Sequence, residues 1–399
     1  MQLQQKFIAE AESSLQHNDF SLLTRRLLDF CDEFEVSDSL INDVFDLRKL
    51  YLNTENPETL SDTGMREKAA LLLNTLKSSG FTFKKTTTAA DELVISGNSI
   101  SKQFVRGRTP FHLHPLDVKL QAGQITGVVG ENGNGKTTLL RILAGELSSD
   151  TGTLLYPALD TGSGDWYGTK NRLAFIPQRI SKWHGTLLDN LRFYASIHGF
   201  TDKRNDYHIN YILYRLGLDK FRDLKWSEIS SGYRLRFELA KMLLWKPKLL
   251  ILDEPLANLD INAQQLFLQD LKFFTRSVSH PVSIILSSQN LHEIERVADN
   301  IIFIRQGKTI YNGSQSDFAV NREQNSFELS GRFDFEALMK SFAKYPEFKV
   351  ENAGTSFIVT TSVDCSIYRI TAILNENNMD LNYIRDISQS TRKLFHKDI

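Results

Sequence analysis

The apolar stretch Ile125–Val129 runs directly into Gly130-Glu131-Asn132-Gly133-Asn134-Gly135-Lys136-Thr137 and then into a helical pattern beginning Thr138-Leu139-Leu140. This strand, glycine-rich loop and helix predict a parallel α/β unit, because an anion held at such a turn needs a strand before it and a helix N-terminus after it. The glycines let successive backbone N–H groups turn inward without Cβ obstruction, the helix presents its positive end, and Lys136 reaches terminal phosphates. In this reading residues Gly130, Glu131, Asn132, Gly133, Asn134, Gly135, Lys136, Thr137 and Thr138 cradle the phosphates of a nucleotide, and the Thr137 hydroxyl holds Mg²⁺. A chance glycine-rich turn is the competing reading, and the strand and helix flanks count against it.

A second segment, Leu249–Leu252 followed by Asp253 and Glu254, reads as an apolar strand ending in two acids. Two carboxylates at the end of a buried strand are costly unless they face a metal and a water. Asp253 is expected to bind Mg²⁺ through its water shell, and Glu254 to polarise an attacking water as general base. A strand that simply ends at the surface in acids is the alternative.

Between these two lies Ile229-Ser230-Ser231-Gly232-Tyr233-Arg234, leading into a helix over 235–244, which resembles the signature motif of ATP-binding cassette (ABC) ATPases. The resemblance spans about residues 93–313 and implies a P-loop ABC-type ATPase domain with ATP and Mg²⁺ as its ligands. Further motifs fall in the family's order: Gln178 in Phe175-Ile176-Pro177-Gln178 resembles the Q-loop glutamine, and Ala257-Asn258-Leu259-Asp260 resembles the D-loop. By this likeness Ser230, Gly232 and Asp260 are nucleotide-binding residues, the serine and backbone amides at the start of the helix closing over a γ-phosphate bound by an opposite subunit, Gln178 is a catalytic and Mg²⁺-facing residue, and two cassettes meet head to tail. Phe104 falls where the family stacks an aromatic on adenine; an ordinary core phenylalanine is the competing reading.

Two departures matter. Ser231 and Tyr233 replace the first Gly and the Gln of the usual signature, and Gln289 in Leu286-Ser287-Ser288-Gln289-Asn290 stands where the family has a switch His. A glutamine can hydrogen-bond a γ-phosphate but cannot carry an imidazolium charge, so slow ATP hydrolysis is expected if Gln289 is catalytic; the other reading makes it a loop residue. Glu254, Lys136, Gln178 and Gln289 form the expected catalytic set, with Thr137, Asp253 and Gln178 as the metal-facing groups.

The 399 residues predict roughly two to four domains at about 150 each. Residues 1–83 carry apolar residues at helical spacing and predict an all-α bundle of three or four helices, similar to small adaptor modules that recruit a protein partner. Residues 84–92 are read as a linker, 93–318 as the ATPase domain, and 325–399 as a C-terminal α+β ferredoxin-like extension in a split βαβ order ending with a short helix at 391–395. That tail resembles the extension of drug- and polysaccharide-exporting ABC proteins. The segment 180–194, holding Trp183 and Leu191, is where a permease coupling helix would dock; an ordinary buried role is equally open for Trp183.

Lys and Arg total 47 against 48 acids, a net charge of −1, so no global field recruits nucleic acid, and none is expected as a partner. His112, His114, His184 and His292 lack the spacing of a protein-held transition metal. Two cysteines, a polar start and apolar runs far below the ~18 residues of a membrane span predict a cytoplasmic chain, peripheral on the inner membrane face if a permease partner supplies the spans. One phosphate loop and one signature predict a homodimer. The two functions that follow are the ATP-hydrolysing subunit of an ABC transporter, resembling a bacterial exporter subunit, and a soluble regulatory or defence ATPase recruiting a partner through its helical module.

Overall fold

The computed structural model describes residues 2–54, 64–84, 92–105, 110–159, 165–320 and 324–387. Most of the expected linker and the helix expected at 391–395 lie outside these residues. The chain opens with α1 (Gln2–Gln16), α2 (Phe20–Glu33), α3 (Asp38–Asn53) and α4 (Met65–Ser78). It continues through β1 (Leu93–Phe104), β2 (Phe111–Gln121), β3 (Ile125–Val129), α5 (Lys136–Leu143), β4 (Thr151–Leu155), α6 (Trp166–Lys170), β5 (Leu173–Ile176), α7 (Leu187–Ile197), α8 (Asp202–Arg215) and α9 (Ser231–Leu243). Next come β6 (Leu249–Leu252), α10 (Ile261–Thr275), β7 (Ser283–Ser288), α11 (Leu291–Glu295), β8 (Asn300–Arg305), β9 (Lys308–Ser314) and α12 (Gln315–Val320). The last elements are β10 (Gln324–Gly331), α13 (Phe335–Phe342), β11 (Lys349–Asn352), β12 (Phe357–Ser362), α14 (Ile367–Glu376) and β13 (Leu381–Asp386).

Two compact units result, one of Met1–Ile100, Asp117–Ile125 and Leu139–Leu286, the other of Ser101–Leu116, Thr126–Thr138 and Ser287–Ile399. In the first, β5, β6 and β7 pair in parallel, with Ile176 opposite Leu252 and Leu252 opposite Leu286. All four residues of β6 are buried, as expected of a parallel strand covered on both faces.

The expected N-terminal helices are present as four. Asp19 and Ser37 cap α2 and α3 by accepting the N–H of Leu22 at 2.9 Å and of Leu40 at 3.4 Å. Leu23, Leu27 and Phe30, at helical spacing on α2, are buried, and the Phe30 ring stacks on Phe34 at 4.5 Å and meets Phe81 edge-on at 5.3 Å. Burying one such side chain contributes about 1.5–3 kcal/mol.

These helices share their compact unit with 139–286, and charged groups bind the two together. Arg215 of α8 donates to Asp29 of α2 at 2.9 Å and to Asp270 of α10 at 3.1 Å. The Glu33 carboxylate accepts from Ser277 Oγ at 2.8 Å and from the N–H groups of Val278 and Ser279 at 2.9 and 2.7 Å, in the turn after α10. Lys246 pairs with Asp32 at 2.8 Å. Charges on α2 that helical periodicity would leave to solvent are therefore interior.

In the second unit β3 pairs in parallel with β8, and β8 antiparallel with β9. Its C-terminal part is an antiparallel sheet in the order β11-β12-β10-β13. Phe327, Leu329 and Val359 pack with Leu338 and Phe342 of α13 and Ile370, Ile373 and Leu374 of α14. This is the split βαβ, ferredoxin-like arrangement expected from the element order.

Candidate functional site

In the second unit the loop after β3 is built around its own backbone. Gly130 has no room for a side chain, since a Cβ there would stand 2.3 Å from the Ile304 carbonyl oxygen. Gly135 adopts φ 101°, open to glycine, and a Cβ would meet the Phe111 ring at 2.7 Å. Lys136 Nζ donates to the carbonyls of Gly130 at 2.7 Å and Glu131 at 3.1 Å, so its ammonium lies inside the loop. Asn134 Oδ1 accepts the N–H of Gln306 at 2.9 Å and ties the loop to the turn between β8 and β9. Glu131, Asn132, Gly133 and Thr137 are exposed, and Thr138 is half-buried.

Phe104, at the end of β1, is 38% exposed with Lys102 Nζ 6.0 Å from its ring centre, so it is no core residue. Gln289 is exposed immediately after β7, beside Ser288, whose hydroxyl donates to Glu293 at 2.8 Å.

In the first unit β6 delivers Asp253 and Glu254, which are only 2% and 8% exposed. They do not end the strand at the surface. The Asp253 N–H donates to the Ile176 carbonyl at 2.9 Å, extending the β5–β6 pairing by one residue and fixing the carboxylate against the strand end. Glu254 takes φ 46°, a left-handed backbone that costs a non-glycine residue on the order of 1–3 kcal/mol and recurs at functional sites. Gln178 Nε2 donates to Glu254 Oε2 at 3.0 Å, which brings the expected Q-loop residue onto the expected base.

Ser230 caps α9, its Oγ accepting the Tyr233 N–H at 3.4 Å. Ser231 Oγ donates to the Asn258 carbonyl at 3.2 Å, so the signature-like turn touches the D-loop-like turn. A Cβ at Gly232 would stand 3.3 Å from Leu259. Asp260 caps α10 by accepting the Ala263 N–H at 2.9 Å, a local structural role that spacing alone does not disclose. Gln178, Ser231, Arg234, Asp253, Glu254 and Asn258 all border one open cleft of about 650 Å³.

Trp183 takes the buried role, not that of a docking surface. It is 9% exposed, stacks on Trp226 at 4.9 Å, and donates its indole N–H to Glu238 of α9 at 2.7 Å. Leu191 is also buried, and Phe193 and Ile197 are the large apolar residues of α7 that reach the surface. The buried Glu238, bonded to Lys241 as well, was not foreseen; a lone acid within an apolar helical face is the signal that marks it.

Comparison with known proteins bears on the same stretch. Residues 113–257 match the family model described as ABC transporter. The chain is 31% identical over 219 residues to the molybdenum import ATP-binding protein ModC of Photobacterium profundum, covering 54% of this chain and 58% of that one. It is 26% identical over 208 residues to the ABC transporter ATP-binding protein NatA of Bacillus subtilis, covering 50% and 80%. A Rickettsia typhi protein described as an export ATP-binding/permease protein is 29% identical over 227 residues, which span 53% of this chain and only 37% of that relative. Among solved structures, cbiO1 of Clostridium perfringens superposes with a TM-score of 0.51 at 20% identity, covering 64% of this chain and 97% of that one, a likeness of fold.

Proposed function

The chain carries an ATPase domain of the ABC type, and we propose that it binds and slowly hydrolyses ATP as the nucleotide-binding subunit of an ABC transporter. The observation that carries this reading is the 3.0 Å hydrogen bond from Gln178 to Glu254, a buried carboxylate at a strand end held by a side-chain amide. In this proposal the N–H groups of the Gly130–Lys136 loop and the Lys136 ammonium bind the phosphates, and Phe104 offers its exposed ring to the base. Glu254 takes a proton from water, and Gln178 fixes the orientation of its carboxylate.

The buried Asp253 carboxylate and the Thr137 hydroxyl are hard oxygen donors, which suits Mg²⁺, with Gln178 as a further amide oxygen. Bound Mg²⁺ would supply charge neutralisation on the phosphates. Ser230, with the N–H groups opening α9, is offered to the nucleotide of a second copy, and Asp260 stays at that boundary as a helix cap. ATP then closes a head-to-tail homodimer and hydrolysis reopens it, moving a separate permease.

Size-exclusion chromatography of Glu254→Gln with ATP and Mg²⁺ tests the proposal. A nucleotide-dependent dimer that persists is expected, and a protein that stays monomeric refutes the paired mechanism. No described helix is long and apolar enough to cross a membrane; affinity purification from solubilised membranes seeks a permease partner.

A second reading, a regulatory ATPase acting without a permease, is favoured by the N-terminal helices, which lie outside the matched residues 113–257. It predicts ATP-dependent dimers and no membrane partner.

A further inference from the structure

Where the N-terminal helices α2 and α3 meet the α8–α9 region, a cavity of about 360 Å³ opens within the first unit. We infer that this cavity, walled by Arg25, Arg48, Lys49, Lys220, Tyr233 and Arg236, is a binding site for a small, multiply charged anion of the phosphate type, outside the residues assigned to ATP above.

The wall carries five cations and one acid, Asp219, which already bonds Arg222 at 2.9 Å. Arg48 lies deepest, 1% exposed, and its guanidinium meets neutral acceptors: the Tyr214 carbonyl at 3.1 Å, the Ser21 carbonyl at 3.3 Å and the Thr24 hydroxyl at 2.9 Å. No carboxylate among the described residues pairs with it. Other cations of this junction are handled differently, since Arg215 has two aspartates and Lys246 has one.

Arg25 and Arg236 both share the one Asp270 carboxylate with Arg215, at 3.7 and 3.5 Å, and the Nε atoms of Arg25 and Arg236 are buried without an acceptor. A guanidinium taken out of water without a counter-charge is costly. The strain shows in Arg48, lowered to about 9 from its usual range by desolvation first and by Arg25 and Arg215 next.

An anion arriving from solvent would supply the missing charge. Guanidinium forks match the oxygens of phosphate, and the exposed Lys49 and Lys220 at the cavity mouth add point charges suited to more than one negative charge. The volume admits a compact phosphate ester or pyrophosphate.

The test uses the full chain with Lys136→Ala, so that the glycine-rich loop is weakened, and titrates inorganic pyrophosphate calorimetrically at fixed ionic strength. Saturable binding is expected, weakened at least tenfold by Lys49→Ala with Lys220→Ala, two exposed positions whose replacement leaves the fold intact by circular dichroism. Arg48→Lys, which keeps the charge and loses the fork, is expected to weaken it to an intermediate degree. Absence of saturable binding at millimolar pyrophosphate, or binding unchanged in the double variant, overturns the inference. ATP binding measured on the double variant in the Lys136 background of the natural chain is expected to be unchanged, so the outcome is separable from that of the proposed function.

Discussion

Replacing Arg215 with Leu is the perturbation that most directly asks whether the N-terminal helices are part of one folded unit. Arg215 is 3% exposed in its side chain, and Asp29 and Asp270, its partners at 2.9 and 3.1 Å, are 1% exposed. Its guanidinium also lies 3.9 Å from the centre of the Phe273 ring. Removing one member of a buried charge group leaves the others uncompensated, at a cost of about 3–5 kcal/mol, whereas an exposed pair contributes about 0–1 kcal/mol. The pair Arg192–Asp206 at 3.4 Å, half exposed on both sides, is the internal control, and Arg192→Ala is expected to cost about 0.5 kcal/mol. All four tryptophans, Trp166, Trp183, Trp226 and Trp245, lie in the first unit, so their fluorescence during urea unfolding reports that unit alone. Arg215→Leu should lower the fluorescence midpoint far more than Arg192→Ala, with helical circular dichroism lost in the same transition. Equal midpoints for the two variants would refute the buried-charge reasoning, and a separate early loss of helix would refute the single unit.

Glu254→Gln should lower the ATPase rate by about 10²–10⁴, the usual contribution of a general base, with ATP binding retained in equilibrium dialysis. Gln289→His should raise turnover if that position faces the γ-phosphate, and an unchanged rate removes it from the catalytic set. Gly130→Ala should abolish nucleotide binding in the same dialysis, because its Cβ would stand 2.3 Å from the Ile304 carbonyl and the loop would have to shift. His280, held down at about 4 first by desolvation and then by Lys246, lies below its unfolded value near 6.5. The unfolded chain therefore binds the proton first, and stability present above pH 6.5 is lost as pH falls toward 4. His280→Gln should flatten the measured stability over that window.

The glycine-rich loop and the acid-ended strand were legible because each needs specific residue types in unbroken sequence: Gly where a Cβ would meet Ile304 or Phe111, and two carboxylates after four apolar residues. Contacts made across the chain were not. Strand β2, with Leu116, Val118 and Leu120 buried in alternation, carries a period of two that its histidines and proline obscure. Trp183 read ambiguously because its partner, Glu238, lies 55 residues on, and nothing local pairs them. Asp29, Glu33 and Arg48 occupy positions that helix periodicity assigns as readily to solvent as to a buried polar contact.

The departure at Tyr233 has a local physical setting. Its ring packs on Phe221 at 4.1 Å and lines the same cavity as Arg48 of the N-terminal helices, while Arg236, one turn on, reaches both the Leu216 carbonyl and Asp270. Helix α9, which presents Ser230, therefore borders a cavity that residues 21–53 also line, and its Arg236 shares the Asp270 carboxylate with Arg25 of α2. Deleting those helices would open Asp270, Arg215 and the 277–279 turn to water, each having lost a partner of opposite charge or a bonded carboxylate. A truncation starting near residue 92 should then bind ATP poorly through disorder of α9 even with the Gly130–Lys136 loop unchanged in sequence. Restoring residues 2–84 as a separate polypeptide should recover binding if the junction alone is responsible, and failure of that rescue would mean that chain continuity, not the packed interface, orders the helix.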